Sequence, residues 1–173
     1  IKARSLKKLN KRKEAINSYE RLVKLDPEEV FNYINLSNLK DDFEEKLECI
    51  ENAIEIEPYI SRLYLEKSKL LFNHYNKVYN SSELEYDLND IKDLIDKCIE
   101  LSPSIGNPGW LLKVDITKKI NNSTEQTIKN VEEIISIIEK QDIHHANVVR
   151  LKVFLAGLKK EDSQEIFQLI ENS

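Results

Sequence analysis

The sequence predicts an all-α fold, a stack of about five helix-turn-helix repeats, and three observations carry this prediction. The chain has only three glycines and four prolines in 173 residues, far fewer than ordinary proteins use. A β-rich fold would need many such turn residues. Three stretches of helical periodicity end at a proline, and a second helical pattern follows the first two prolines. The pattern therefore indicates paired helices joined by short polar connections.

The three proline-terminated segments share one apolar stripe. Aligned on their prolines, they carry apolar residues eight, five and two positions earlier, which is the spacing of one helix face. Proline cannot continue the helical hydrogen-bond ladder and restricts the residue before it, so each proline predicts a helix end. The segments are KEAINSYERLVKLDP (13–27), EEKLECIENAIEIEP (44–58) and NDIKDLIDKCIELSP (89–103).

The helix that follows each of the first two prolines is centred on a small residue, Ser37 in one case and Ser68 in the other. Two antiparallel helices can approach closely where no bulky side chain intervenes. These positions therefore predict a tight helix crossing within each repeat. The apolar neighbours are Tyr33, Leu36 and Leu39 in FNYINLSNLK, and Tyr64 and Leu71 in SRLYLEKSKLLF.

These motifs resemble the tetratricopeptide repeat. YINLSN is similar to the first-helix signature of that family, and KEAINSYERLVKLDP is similar to its second helix, with Ala15, Tyr19 and Pro27 at matching positions. The resemblance implies a right-handed α-solenoid forming a single domain over residues 1–173. Its repeats are expected at approximately 1–27, 28–58, 59–103, 104–141 and 142–173.

The sequence departs from the family pattern at identifiable places. Lys46, and Ile91 one repeat later, stand where the family usually has alanine. Pro58 and Pro103 are 45 residues apart, about eleven more than the family's period of roughly 34. The surplus falls in HYNKVYNSSELEY (74–86), which is either an extended inter-helix loop or part of a longer helix pair.

Composition narrows the class of protein further. No apolar run approaches the roughly 18 residues of a membrane span, and no signal peptide is visible, so we expect a cytoplasmic or nuclear protein. Cys49 and Cys98 form no metal-ligand pattern and are expected as reduced core residues. The chain contains no methionine, and we expect it to be a segment of a longer protein.

No catalytic, cofactor-binding or metal-binding residues are predicted, so the sequence indicates a non-enzymatic protein. The three glycines form no phosphate-binding loop. His144 and His145 are adjacent, so they point to different sides of a helix and make a poor metal pair. The stretch 121–124 reads as a loop with a helix cap rather than a glycosylation acceptor.

Charge is unevenly distributed along the chain. Residues 1–24 hold nine basic and two acidic residues, a net charge of +7, whereas the whole chain carries −5, so the remaining residues carry −12. A basic end of this kind suits an acidic partner or a nucleic acid. The simpler interpretation is a solvated helix face.

In tetratricopeptide proteins the first helix of each repeat lines a concave groove that takes a peptide or a helix of a partner. The resemblance thus implies an interaction scaffold or adaptor, and the apolar and cationic residues of its predicted groove favour an acidic or amphipathic partner. The predicted groove residues are Arg4, Phe31, Ile34, Asn38, Arg62, Leu65, Lys69 and Trp110.

The sequence also allows other interpretations of single groove residues and of the function. Trp110 turns into the core if its helix is shifted by one residue. The family's two-carboxylate clamp for chaperone C-termini is not expected, because Arg4 stands where asparagine is required and Glu66 where arginine is required. The alternative functions are nucleic-acid binding through the basic N-terminal helices and a regulatory segment attached to an enzymatic domain.

Overall fold

A computed structural model describes residues 11–78, 86–103, 108–121, 123–140 and 146–159. All regular secondary structure in these ranges is α-helical, which confirms the predicted all-α class. The helices are α1 (Arg12–Leu25), α2 (Val30–Ser37), α3 (Phe43–Ile56), α4 (Ser61–Val78), α5 (Leu88–Leu101), α6 (Gly109–Ile120), α7 (Thr124–Glu139) and α8 (Ala146–Lys159).

The three predicted proline stops are confirmed. Pro27, Pro58 and Pro103 each lie two residues beyond the end of a helix. The residue before each proline leaves the helical conformation because proline disfavours it there. These residues have nearly the same backbone angles, with φ −140° and ψ 80° at Asp26, φ −131° and ψ 83° at Glu57, and φ −146° and ψ 82° at Ser102. Each still donates its N–H to the carbonyl oxygen four residues earlier.

Carboxylate and hydroxyl side chains cap the starts of several helices. They accept hydrogen bonds from backbone N–H groups that have no partner within the helix. Asp42 accepts from the N–H of Glu45 at the start of α3, and Asp87 forms a reciprocal capping box with Asp90 at the start of α5. Ser123 accepts from the N–H of Gln126 at the start of α7, as the predicted cap requires.

The helices group into two compact units. Unit 1 is Ile1–Leu84 and contains α1 to α4, and unit 2 is Glu85–Ser173 and contains α5 to α8. The boundary falls between α4 and α5, inside the segment 59–103 that the proline spacing predicts as one repeat. Within each unit the helices contact their neighbours along the chain.

The core of unit 1 forms where consecutive helices cross. One cluster joins α1, α2 and α3, and a second joins α2, α3 and α4. Ala15, Ala53 and Ser68 are 0% exposed and Ser37 is 6% exposed. Ser37 lies at the crossing of α2 and α3, as predicted. The crossing predicted for Ser68 would join α4 to α5, which belong to different units. The buried members of the two clusters are Ala15, Tyr19, Leu36, Leu39 and Cys49 in the first, and Val30, Tyr33, Ile34, Ile50, Ala53 and Leu63 in the second.

Charged groups tie α1 to the turn between α2 and α3. Lys40 donates a hydrogen bond to Glu20 at 2.9 Å and pairs with Glu45 at 3.2 Å. The hydrogen bond to Glu20 raises the pKa of Lys40, although burial opposes it. Arg12 pairs with Asp41 at 2.5 Å and donates from Nε to the carbonyl oxygen of Leu39 at 2.7 Å. The turn is thereby fixed against α1 by both side-chain and backbone acceptors.

In unit 2 an apolar cluster draws its members from α5, α6, α7 and α8. An ion pair of 2.6 Å between Lys152 and Glu139 joins α8 to α7 at the edge of this cluster. Cys98, like Cys49 of unit 1, is a buried core residue, as the sequence predicts. The buried members of the cluster are Ile99, Trp110, Val114, Val131, Ile134, Ile135, Ile138, Val148 and Leu151.

The predicted insertion is helical in its first part. Helix α4 has 18 residues against 8 in α2, and it runs to Val78. It therefore contains residues 74–78 of the HYNKVYNSSELEY stretch. Residues 79–85 of that stretch, His144 and His145, and residues 160–173 of the fifth predicted repeat lie outside the described residues.

Candidate functional site

Four of the predicted groove residues are accessible in unit 1. Phe31 on α2 is 45% exposed although it is a large apolar side chain. Asn38, which follows α2, and Arg62 on α4 are exposed, and Lys69 on α4 is half-buried. We call these four residues the exposed face of unit 1. The first helices of the second and third predicted repeats therefore do offer an aromatic, an amide and two cations to solvent.

The apolar anchors predicted alongside them are buried. Ile34 is 2% exposed and Leu65 is 6% exposed, and Ile34 belongs to the cluster between α2, α3 and α4. Trp110 is 4% exposed and packs in the core of unit 2, in agreement with the inward alternative for that residue. These three side chains support the fold in this structure rather than offering apolar surface. Arg4 lies outside the described residues.

Two residues of the exposed face line a common cleft. A cavity of about 300 Å³ opens between α2, α3 and α4, and both Asn38 and Lys69 lie on its wall. The Nδ2 of Asn38 donates to the carbonyl oxygen of Ile34 at 2.9 Å, and the side-chain oxygen of Asn38 takes no part in this hydrogen bond. The lining residues are Ser37, Asn38, Lys46, Ile50, Glu66, Lys69, Leu70 and Asn73.

Glu66 organises the cations of α4. Its Oε1 lies 3.8 Å from the Nε of Arg62 and 3.8 Å from the Nζ of Lys69. Both partners are within one helical turn, so the three side chains form a short row along one side of α4. The pairs are long and solvent-accessible, so they hold the cations weakly and leave them available to a ligand.

Sequence reasoning did not place Lys46 or Asn73 in a site. Lys46 was visible only as a departure from the small residue usual at its position, and Asn73 carried no signal. The structure brings both side chains to the cleft with Asn38 and Lys69. For Lys46 the sequence did contain a signal, namely a charged residue at a helix crossing where the other repeats have smaller or apolar side chains.

Unit 2 contains a second cleft, of about 310 Å³, whose lining includes Lys92, Lys113 and the 39%-exposed Ile137. Asp96 pairs with both lysines, at 2.7 Å to Lys92 and 2.6 Å to Lys113. Burial alone would raise the pKa of Asp96, but the hydrogen bonds from Lys113 and Lys92 outweigh it and lower the pKa. Both lysines of this cleft therefore already have a carboxylate partner within the protein.

Within the ranges that the structure describes, no group of three or more histidine, cysteine, aspartate or glutamate side chains is arranged to hold a metal ion. Among those same residues no helix combines the length and the apolar character needed to cross a membrane.

Comparisons with known proteins agree with the helix-pair architecture. A family model described as tetratricopeptide repeat matches residues 1–29. No curated protein matches the sequence.

Several solved structures share the fold at low sequence identity. MamA superposes with a TM-score of 0.66 at 14% identity, over 98% of this chain and 92% of that chain. TTC0263, a thermophilic TPR protein of Thermus thermophilus, gives 0.58 at 14% identity, over 90% and 77%. YrrB, described as a TPR protein with an unusual peptide-binding site, gives 0.58 at 13% identity, over 98% and 79%.

These likenesses show the fold, an α-solenoid of the kind that tetratricopeptide proteins adopt. The matched segment at residues 1–29 adds a sequence criterion to it. Residues 1–29 are therefore similar in sequence to the tetratricopeptide repeat, and the chain is similar in fold to proteins built from such repeats.

Proposed function

We propose that this chain is a non-catalytic interaction module that binds a peptide or helical segment of a partner protein on the exposed face of unit 1. The carrying observation is the accessibility of Phe31, Asn38, Arg62 and Lys69 on α2, α4 and the turn after α2, beside a cleft that two of them line. The similarity of residues 1–29 to the tetratricopeptide repeat supports a protein-interaction scaffold in general.

The chemistry of the face suits an acidic or amphipathic segment. Aromatic and arginine side chains contribute disproportionately to binding energy at protein interfaces, and Phe31 and Arg62 are of these types. A guanidinium and an ammonium favour carboxylates through charge-assisted hydrogen bonds. A peptide ligand is also the class named for YrrB, which shares the fold. Because Ile34 and Leu65 are buried, Phe31 is the apolar anchor of this proposal.

The test begins with a displayed library of random peptides selected on the immobilised chain. Dissociation constants of the selected peptides are then measured by fluorescence polarisation for the wild type and for the double variant Arg62→Glu, Lys69→Glu. We expect the double variant to bind at least about tenfold more weakly, because two favourable charge contacts become repulsive. Phe31→Ala should also weaken binding by about tenfold.

The matched control is Arg21→Glu with Lys24→Glu. This pair also replaces one arginine and one lysine of a single helix, and both residues are exposed on α1. Neither residue lines either of the two clefts described above. The control should bind within about twofold of the wild type. Equal loss in both double variants would show attraction by overall charge alone, and undiminished binding in a folded Arg62→Glu, Lys69→Glu variant would place the ligand elsewhere.

A further inference from the structure

Lys46 occupies an unusual position for a charged side chain. It is the fourth residue of α3, where α3 crosses α2, and the Oγ of Ser37 donates to its backbone carbonyl oxygen at 2.9 Å. This hydrogen bond brings the two helices together at that level. The side chain of Lys46 is half-buried and lines the cleft between α2, α3 and α4.

Lys46 also differs from the other half-buried lysines in its ion pairing. Within the described ranges, it is the single half-buried lysine whose ammonium has no carboxylate within 4.0 Å. The other half-buried lysines, each with an ion-pair partner, are Lys40, Lys67, Lys69, Lys92, Lys97, Lys113 and Lys152.

An ammonium without a carboxylate partner gains no ion-pair stabilisation within the described part of the protein. The position itself does not require a charge, because a small residue fits a close helix crossing at least as well. The unpaired charge therefore has no structural role among the contacts described, whereas a ligand anion in the cleft would supply the missing partner.

We infer that Lys46 binds a side-chain carboxylate of the partner segment, with Lys69 and the amide of Asn73 beside it in the cleft. This inference rests on the proposed function, since the carboxylate belongs to the segment bound on the exposed face of unit 1. Lys69 belongs to both the face and the cleft, which makes the cleft continuous with that face. The amide of Asn73 is exposed and supplies a neutral donor.

The charge of the cleft fits one carboxylate better than a phosphate. Lys46 and Lys69 contribute two positive charges and Glu66 one negative charge, a net charge of +1 on the lining. A carboxylate brings one negative charge, whereas a phosphorylated side chain brings about 1.5 to 2. The volume of about 300 Å³ is at the small end of the range for ligand pockets and suits a single side chain.

The test is a double-mutant cycle on the selected peptides, synthesised with acetylated and amidated ends so that carboxylates come from side chains alone. Each shared aspartate or glutamate of the peptide is replaced by its amide. Binding is measured to the wild type, to Lys46→Ala and to Lys46→Gln. For one position, the replacement should weaken binding to the wild type by about tenfold and leave binding to either Lys46 variant nearly unchanged.

The matched control is Lys67→Ala. Lys67 is also half-buried, but its ammonium lies 2.7 Å from Glu51. In this variant the peptide replacement should still weaken binding by about tenfold. Loss of the carboxylate effect in Lys67→Ala as well as in Lys46→Ala would overturn the assignment to Lys46.

The remaining outcomes separate the two proposals. Peptides that bind the face without any shared acidic residue, or whose acidic residue contributes equally in the Lys46 variants, would overturn this inference and leave the proposed function standing. Failure of the chain to select any peptide would overturn the proposed function and this inference with it. Tighter binding of a phosphoserine peptide than of its glutamate counterpart would assign the cleft to phosphate and overturn the carboxylate.

Thermal unfolding gives an independent readout. Because its ammonium has no ion-pair partner among the described residues, we expect Lys46→Ala to melt at the same temperature as the wild type or higher. Lys67→Ala should melt at a lower temperature, since it loses an ion pair. A lower melting temperature for both Lys46→Ala and Lys46→Gln would show that the ammonium already stabilises the fold and would overturn its assignment to a ligand.

Discussion

At the scale of single residues, small side chains determine how closely the helices of unit 1 approach. Ala15 is 0% exposed and packs with Tyr19, Leu36 and Cys49, and Ala53 is 0% exposed in the cluster between α2, α3 and α4. Close-packed protein interiors do not accept a larger side chain without displacement of the backbone. The side chain at each crossing is therefore constrained in size as well as in polarity.

Ala15→Arg tests this constraint. The substitution forces a long cation into a fully buried position, so we expect the free energy of unfolding to fall by about 3 kcal/mol or more. Circular dichroism melts of the variant and the wild type measure the loss. Asn17→Arg, at an exposed position of the same helix, serves as the control and should melt within a few degrees of the wild type. Equal melting of Ala15→Arg and Asn17→Arg would contradict the burial of Ala15.

The same scale explains why the candidate site was only partly predictable. The sequence pattern indicated Phe31, Asn38, Arg62 and Lys69 as groove residues, and the structure leaves all four accessible, although their binding role stays a prediction. The same pattern indicated Ile34 and Leu65 as groove residues, yet both side chains are buried. A shift of one residue turns a helical side chain by about 100°. Apolar character alone therefore cannot separate a groove anchor from a core residue.

At the scale of the element, helix ends were more predictable than helix lengths. The ends of α1, α3 and α5 follow from Pro27, Pro58 and Pro103, because proline imposes a backbone restriction that no tertiary contact removes. The end of α4 at Val78 had no such signal, since no proline or glycine occurs between 74 and 86. Its length depends on packing, which a periodic pattern does not encode.

The start of α5 provides a test at this scale. Asp87 accepts the backbone N–H groups of Asp90 and Asn89, and these hydrogen bonds lower the pKa of Asp87 below its ordinary value. We expect Asp87→Ala to lower the melting temperature at pH 7, because the first turn loses its acceptor. Asp87→Asn should retain most of the wild-type value, since asparagine is also an effective cap.

The pH dependence of that cap has a definite sign. A carboxyl group whose pKa is lowered on folding stabilises the protein fully above its ordinary pKa, and the stabilisation disappears as the pH falls through the folded pKa. The difference in melting temperature between the wild type and Asp87→Asn should therefore shrink between pH 7 and about pH 3. A difference that stays constant over this interval would show that the charge of Asp87 has no part in capping α5.

At the scale of the whole molecule, packing between consecutive helices governs stability. In each unit the helices contact their neighbours in the chain, so the loss of one crossing acts first on adjacent helices. We expect amide hydrogen exchange in Ala15→Arg to show lost protection in α1 and α2 while α7 and α8 keep most of theirs. Mass spectrometry of peptic fragments measures this. Uniform loss of protection in all eight described helices would indicate that the chain unfolds as one cooperative body.

The distribution of aromatic residues between the two units has a practical consequence for such experiments. The single tryptophan, Trp110, is buried in unit 2, whereas six of the seven tyrosines fall in unit 1. Indole emission excited at the red edge of absorption therefore reports on unit 2, and tyrosine absorbance reports mainly on unit 1. One unlabelled sample in one cuvette carries a separate optical signal for each half of the chain, and a difference between the two midpoints measures how independently the halves unfold.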